Sequence, residues 1–293
     1  MALLALPAPY DFQLSTARFR SYGPDRANLW HDDALWRVID GQAVRIAAAA
    51  AGGAGVDVEP WSPAIEHEVR VLLGGPFDLS GFPAFVAASG DPVLAGLHAR
   101  FAGFRPPLAP GPLEALVTGI TAQQVSLRSA FAVRNRLIAA YGEPPVAAEP
   151  QPAPAAAAPA GLCAFPRAER LAAVAPADLL PLGFSRRKAE YVVGVAQAAS
   201  ALDGLAALAD EDVKARLVAL RGLGEWTADW FLARHLARPR AWPAGDLVLR
   251  KACSRHYAAG RELSAAEVRA LGERFAPFEN HVAHLLLIGS TLP

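Results

Sequence analysis

Along the first third of the chain the hydrophobic and polar positions switch between strand-like and helix-like spacing. The runs Leu35-Trp36-Arg37-Val38-Ile39 and Gln42-Ala43-Val44-Arg45-Ile46 flank the dipeptide Asp40-Gly41. A two-residue Asp-Gly link between β-prone runs predicts a tight hairpin. Ser62-Pro63 and Asp91-Pro92 each set a capping side chain before proline at the first helical position, which predicts helices running on towards Leu73 and Phe104. Residues 1–110 therefore read as an α+β domain. From Pro112 the spacing turns helical, with Leu116, Val117, Ile120, then Phe131, Leu137 and Ile138 at three- and four-residue steps. Residues 111–293 read as a helical domain, so the fold class is mostly α with an N-terminal α+β part. The alternating Pro and Ala of 146–160 cannot pack as a helix and predict a flexible extended loop. Beyond it, Pro166 to Val174, Ser185 to Leu202 and Asp210 to Leu220 have the pattern of amphipathic helices.

Composition narrows the classes. With 53% hydrophobic and 19% charged residues, 293 residues suffice for a core spread over two or three subdomains. Charged residues and proline interrupt every apolar stretch before the roughly 20 residues a spanning helix needs, and Met1 to Pro9 has no basic flank of the secretory kind. The expectation is a soluble cytoplasmic protein. Cys163 and Cys253 stand alone, which excludes an all-cysteine iron–sulfur cluster, since that needs about four thiolates. The formal net charge of +0 makes no global case for a nucleic-acid partner, so any such case rests on local geometry.

Two segments supply that geometry. Val218 to Trp230 reads as a helix end, the turn Gly222-Leu223-Gly224, and a second helix opening at Glu225. Glycines there let backbone N–H groups at the second helix's positive end approach a phosphate, although a plain helix–helix turn has the same chemistry. About twenty residues on, Trp242-Pro243-Ala244-Gly245-Asp246 opens another helix with an aspartate at the N-cap. Capping alone would explain that residue.

Together these segments resemble the helix-hairpin-helix (HhH-GPD) DNA glycosylase superfamily, in which a Gly/Pro-rich loop after the hairpin ends in the catalytic aspartate; the closest likeness is to the 3-methyladenine DNA glycosylase II type. Ile120-Thr121-Ala122-Gln123-Gln124-Val125-Ser126 is similar to that type's first glycosylase helix and wedge-bearing loop, and Phe165-Pro166 and Leu182 to Ala189 to its next two helices. In the N-terminal part, Tyr10-Asp11 and Phe77-Asp78-Leu79 resemble its TATA-binding-protein-like domain. The resemblance implies the hairpin at about 210–239, Asp246 as catalytic residue, and DNA contacts at Gly222, Gly224, Glu225, Thr227, Gln123, Gln124 and Arg250. It also implies a structural Na+ or K+ on the backbone carbonyls of Val218, Leu220 and Leu223, with no cofactor needed for catalysis. Arg221 departs from the pattern by replacing a proline, and Gln124 by standing where relatives place an apolar wedge.

The implied activity is excision of alkylated purines (3-methyladenine, 7-methylguanine type) from duplex DNA in base-excision repair by a monomer, nucleoid-associated if bacterial. Alkylation makes the base cationic, and aromatic faces attract cations. Trp226 and Trp230, four residues apart and so on one helix face, suit such a pocket, with Phe278 and Phe19 completing the lining by resemblance. Lyase relatives use a hairpin lysine. This chain has Trp226 there, and its lysines are Lys188, Lys214 and Lys251, which implies a monofunctional enzyme. His281 and His284 lack a third ligand for a transition metal and read as helix residues. The competing readings are a non-enzymatic helix-hairpin-helix DNA-binding module, and an oxidised-purine glycosylase, which the missing lysine opposes.

Overall fold

The computed structural model describes residues 2–50, 53–146 and 157–291. Strands β1 (Ala2–Ala5), β2 (Leu29–His31), β3 (Ala34–Ile39), β4 (Gln42–Ala48) and β5 (Gly55–Glu59) form one antiparallel sheet in the order β1-β5-β4-β3-β2. The β3–β4 hairpin turns at Asp40 (φ 50°) and Gly41 (φ 75°), the left-handed pair that a two-residue hairpin loop requires. Sequence spacing shows only these two strands. β1 and β2 are short and without alternation, and β5 opens on Gly55, so pairing with neighbours makes them strands.

The short helices α1 (Phe12–Ser15) and α2 (Arg18–Ser21) precede β2, and α3 (Pro63–Leu72) lies against the sheet, burying Ile65, Val69 and Leu72 on Leu35, Ile39 and Ile46. Ser62 caps α3 by accepting from the Ile65 N–H at 3.2 Å. Helices α4 (Phe82–Ser89) and α5 (Pro92–Arg100) follow, α5 capped by Asp91, which accepts from the N–H groups of Val93 (2.9 Å) and Leu94 (3.1 Å).

The rest is helical: α6 (Pro112–Ala122), α7 (Leu127–Tyr141), α8 (Ala168–Ala172), α9 (Arg186–Gln197), α10 (Asp210–Val218), α11 (Glu225–Arg234), α12 (Leu247–Tyr257), α13 (Ala265–Gly272) and α14 (Glu279–Thr291). One core joins α6, α7, α9, α10 and α11 through Leu116, Ile120, Leu137, Val192, Leu217 and Phe231. A second joins α12 and α14 to α4 and α5, where Phe82 and Leu94 meet Leu249, Val282 and Leu286. That core crosses the division at 110/111 read from the sequence, because an apolar helix face does not specify its partner. Of the Pro/Ala segment 146–160, residues 147–156 lie outside the described residues. Its flanks reach the sheet: the Val146 N–H donates to the Gly41 carbonyl at 2.8 Å, and Leu162 packs on Trp36 and Val38.

A buried ion-pair network ties the sheet to the helices. Arg37 on β3 binds Glu68 (2.7 Å) and Glu114 (2.7 Å), while Arg134 on α7 binds Glu114 (2.6 Å) and Asp25. No helix among the described residues is long and apolar enough to cross a membrane.

Candidate active site

A cleft of about 1360 Å³ opens between α2, the α6–α7 turn, α11 and the start of α12, and Asp246 lies on its wall. Local chemistry places this carboxylate. Pro243 and Gly245 leave no helix before α12, and Asp246 caps it, Oδ1 accepting from the N–H groups of Val248 (2.9 Å) and Leu249 (3.0 Å). Its other oxygen, Oδ2, accepts from the indole N–H groups of Trp226 (3.0 Å) and Trp230 (3.2 Å). Four N–H donors thus fix the carboxylate, which is half-buried beside the cleft. The spacing of the tryptophans puts both on the inner face of α11, as expected, but their N–H groups serve the aspartate. Trp230 is buried and the Arg234 guanidinium covers its ring at 3.9 Å from the centroid, whereas Trp226 is partly exposed on the cleft wall.

The hairpin forms as read. Gly222 has φ +93°, and a Cβ there would sit 2.1 Å from the Tyr191 ring on α9. Gly224, the N-cap of α11, is exposed, and a Cβ there would meet nothing within 4 Å. Its open side leaves room beside the N-terminus of α11, the end of a helix where an anion is favoured. Gly222→Ala is expected to introduce on the order of 1–3 kcal/mol of strain and lower Tm by several degrees in thermal unfolding; an unchanged Tm would contradict the reading of this turn.

The remaining sequence candidates separate. Phe19 lines the cleft. Phe278 does not: its ring packs on Phe82 and Phe85, both at 5.3 Å, in the core that α14 shares with α4. Gln123 reaches inward, its amide donating to the Gly222 carbonyl (3.0 Å) and to Thr227 Oγ1 (3.3 Å). Thr227 is 3% exposed, so this pair braces the hairpin rather than presenting groups to a phosphate. Gln124 stands at the tip of the α6–α7 turn with φ +55°, followed by exposed Val125. Across the cleft mouth, Leu247 and Val248 are exposed as well. Glu225 is exposed and paired with Arg269 at 2.8 Å, and Arg221 pairs with Glu190 at 2.8 Å. Arg250 spends its guanidinium on the Leu263 carbonyl at 2.9 and 2.7 Å.

Among the described residues no lysine lines the cleft: Lys188 donates to the Thr121 carbonyl at 3.0 Å and Lys214 pairs with Asp229 at 3.1 Å. His281 is a core residue, edge-on to Phe82 at 4.6 Å, and burial pushes its imidazole down to about 3. Arg18 and Arg234 line the cleft without having been singled out, and His284, read from the sequence as an ordinary helix residue, lines it too. Arg234 continues the Trp226, Trp230 spacing by one more turn, a signal present in the sequence; Arg18 carries none.

Over its whole length the chain superposes on 99% of a 3-methyladenine DNA glycosylase from Archaeoglobus fulgidus, with a TM-score of 0.84 and 25% identity. In sequence it is similar to the DNA-3-methyladenine glycosylase of Bacillus subtilis (strain 168), 28% identical over 66% of this chain and 61% of that protein. It is also similar to the DNA-3-methyladenine glycosylase 2 of Escherichia coli (strain K12), 29% identical over 64% of this chain and 63% of that protein. The chain thus spans about three fifths of the length of these two relatives. Residues 117–277, more than half of the chain, match the family described as HhH-GPD superfamily base excision DNA repair protein, and the chain belongs to that family.

Proposed function

We propose that this protein is a monofunctional DNA N-glycosylase that extrudes an alkylated purine from duplex DNA into the cleft and hydrolyses its glycosidic bond. The observation that carries this reading is the Asp246 carboxylate, held by two α12 amides and two indole N–H groups on the cleft wall. As the bond breaks, positive charge develops on the sugar, and a fixed carboxylate stabilises it without reorganising. The same oxygens can orient or deprotonate the attacking water. Extrusion costs a few kcal/mol, least for a damaged, poorly paired base. The α6–α7 turn with Gln124 and Val125 would fill the gap in the stack, and the open N-terminus of α11 would grip a phosphate. Two relatives carry the 3-methyladenine glycosylase name in sequence, and a fission yeast 3-methyladenine DNA glycosylase similar in structure, at 25% identity and TM-score 0.59, is complexed with abasic DNA. The absence of a cleft lysine among the described residues leaves no amine for strand cleavage.

The hairpin fits a structural Na+ or K+. Among the described residues the Val218 and Leu223 carbonyls accept no backbone hydrogen bond in the turn, and Leu220 accepts one from the Leu223 N–H at 3.1 Å. These hard oxygens would hold the ion, which would add positive charge facing a phosphate. The protein would act as a monomer on chromosomal DNA, in the nucleoid if the source is bacterial.

Incubated with methylated duplex DNA, the protein is expected to release free methylpurine without strand breaks. Tight binding with no release would favour a non-enzymatic binding module, and release with strand breaks a lyase. Trp230→Phe removes one donor to Asp246 and is expected to lower kcat by on the order of 10–100-fold with KM little changed; an unchanged kcat would show that Trp226 alone suffices.

A further inference from the structure

The cleft carries two arginines that the scheme above leaves unused. Arg234 extends from α11 with its guanidinium over the Trp230 ring, and its Nε donates to Nε2 of His284 at 3.3 Å. Burial and the Arg234 charge hold the His284 imidazole well below its ordinary range, so it is neutral, and its Nδ1 lies 2.9 Å from the Asn280 carbonyl. The proton therefore sits on Nδ1 and Nε2 accepts. Among the described residues nothing accepts from Nη1 or Nη2 of Arg234. Arg18 enters from α2 with its Cζ 5.6 Å from the Phe131 ring and makes no hydrogen bond among the described residues.

The carboxylates bordering the cleft are already engaged. Asp25 is held by Arg134, Asn28 and the Ala27 N–H, Glu114 by Arg37 and Arg134, and Asp246 by its four N–H donors. What the cleft offers a base is therefore a surplus of charged donors. Burial lowers the arginine pKa at both positions, and at Arg234 the Arg18 charge adds to it, outweighing the opposing charge of Asp246 at Arg234 and of Asp25 at Arg18, neither of which accepts a hydrogen bond from these side chains. Guanidinium groups stay protonated, so the strain is relieved by an acceptor rather than by proton loss. A base with a ring carbonyl supplies that acceptor. Cationic 3-methyladenine brings a like charge and an amino donor, and finds the Trp230 face already taken.

We propose that Arg18 and Arg234 are specificity-determining residues that bias the pocket towards neutral bases bearing a carbonyl acceptor, hypoxanthine being the simplest, over cationic 3-methyladenine. The proposal rests on the glycosylase reading. 7-Methylguanine, cationic but with a carbonyl, falls between the two.

The test is single-turnover base release from three duplexes of one sequence, containing hypoxanthine, 7-methylguanine or 3-methyladenine, by wild type, Arg18→Gln and Arg234→Met. Each variant is expected to lower the ratio of hypoxanthine to 3-methyladenine release about tenfold or more, the effect of losing a charged hydrogen bond, with 7-methylguanine shifted less. A ratio unchanged or raised in both variants overturns the proposal while leaving the glycosylase intact. No release of any base by wild type overturns both readings. Titrating the tryptophan fluorescence of the wild type with free hypoxanthine and free adenine, both neutral and differing in the ring carbonyl, needs no variant to fold. Tighter binding of hypoxanthine supports the proposal, and equal or reversed affinity overturns it.

Discussion

Asp246→Asn is expected to reduce base release by on the order of 10³-fold or more, about 4 kcal/mol of transition-state stabilisation, while affinity for undamaged duplex changes by no more than a few-fold. The substitution keeps shape and removes charge, so it acts where the sugar cation forms. It also has a structural side. Four N–H groups point at the two carboxylate oxygens. Asparagine offers one oxygen, so either the α12 amides or the indoles face its NH2 group donor to donor. A stability loss of about 1–3 kcal/mol follows, visible in thermal unfolding and far too small to mimic the kinetic loss in a protein still folded at assay temperature. Free base and strand breaks measured separately on methylated duplex decide the matter. Release within tenfold of wild type would remove Asp246 from the mechanism.

Glu114→Ala is expected to cost about 3–5 kcal/mol, the usual result of taking one partner from a buried ion pair, and to lower Tm by roughly 10 °C or more. Glu114 stands on α6 between Arg37 of the sheet and Arg134 of α7, with about 6% of its side chain exposed. Its removal leaves two guanidinium groups short of a partner at the junction of the two parts. Glu68→Ala, whose carboxylate is 28% exposed, is expected to cost clearly less; equal losses would argue against the network as the tie. The pH dependence has a definite sign. Burial pushes the Glu114 and Asp25 carboxyls up, but Arg37 and Arg134 outweigh it at Glu114, and Arg134 does so at Asp25, leaving both below their ordinary range. Groups depressed in the folded state stabilise fully above the unfolded pKa, near pH 4, and the contribution fades as pH falls through the folded values. The stability gap between wild type and Glu114→Ala is therefore expected to be constant near neutrality and to narrow in acid below about pH 4.

Much of the candidate site was legible because its chemistry is local. The turn at Gly222 needs a left-handed residue, the Asp246 cap needs a short carboxylate before α12, and the four-residue step from Trp226 to Trp230 needs only helical period. Each is a relation within a few residues, as are the Asp40-Gly41 hairpin and the Ser62 and Asp91 caps. Arg234 stands one further four-residue step along the same face and was not singled out, since only the folded cleft shows its guanidinium spread over Trp230. Phe278 shows the opposite case. An aromatic near a helix start satisfies a core and a pocket equally well in sequence, and packing on Phe82 and Phe85 settles it.

By itself the sequence determined the β3–β4 hairpin, the capped starts of α3 and α5, the helical spacing from α6 through α10, the Gly222–Gly224 turn and the aspartate at the head of α12, since capping and periodicity act through bonds and contacts a few residues apart. The tertiary structure decided which indoles hold that carboxylate, that α4 and α5 share a core with α12 and α14, and that Arg18 from the N-terminal part meets Arg234 in one cleft. These depend on pairings across more than two hundred residues, where one apolar face or one arginine is as good a partner as another until the whole chain is packed.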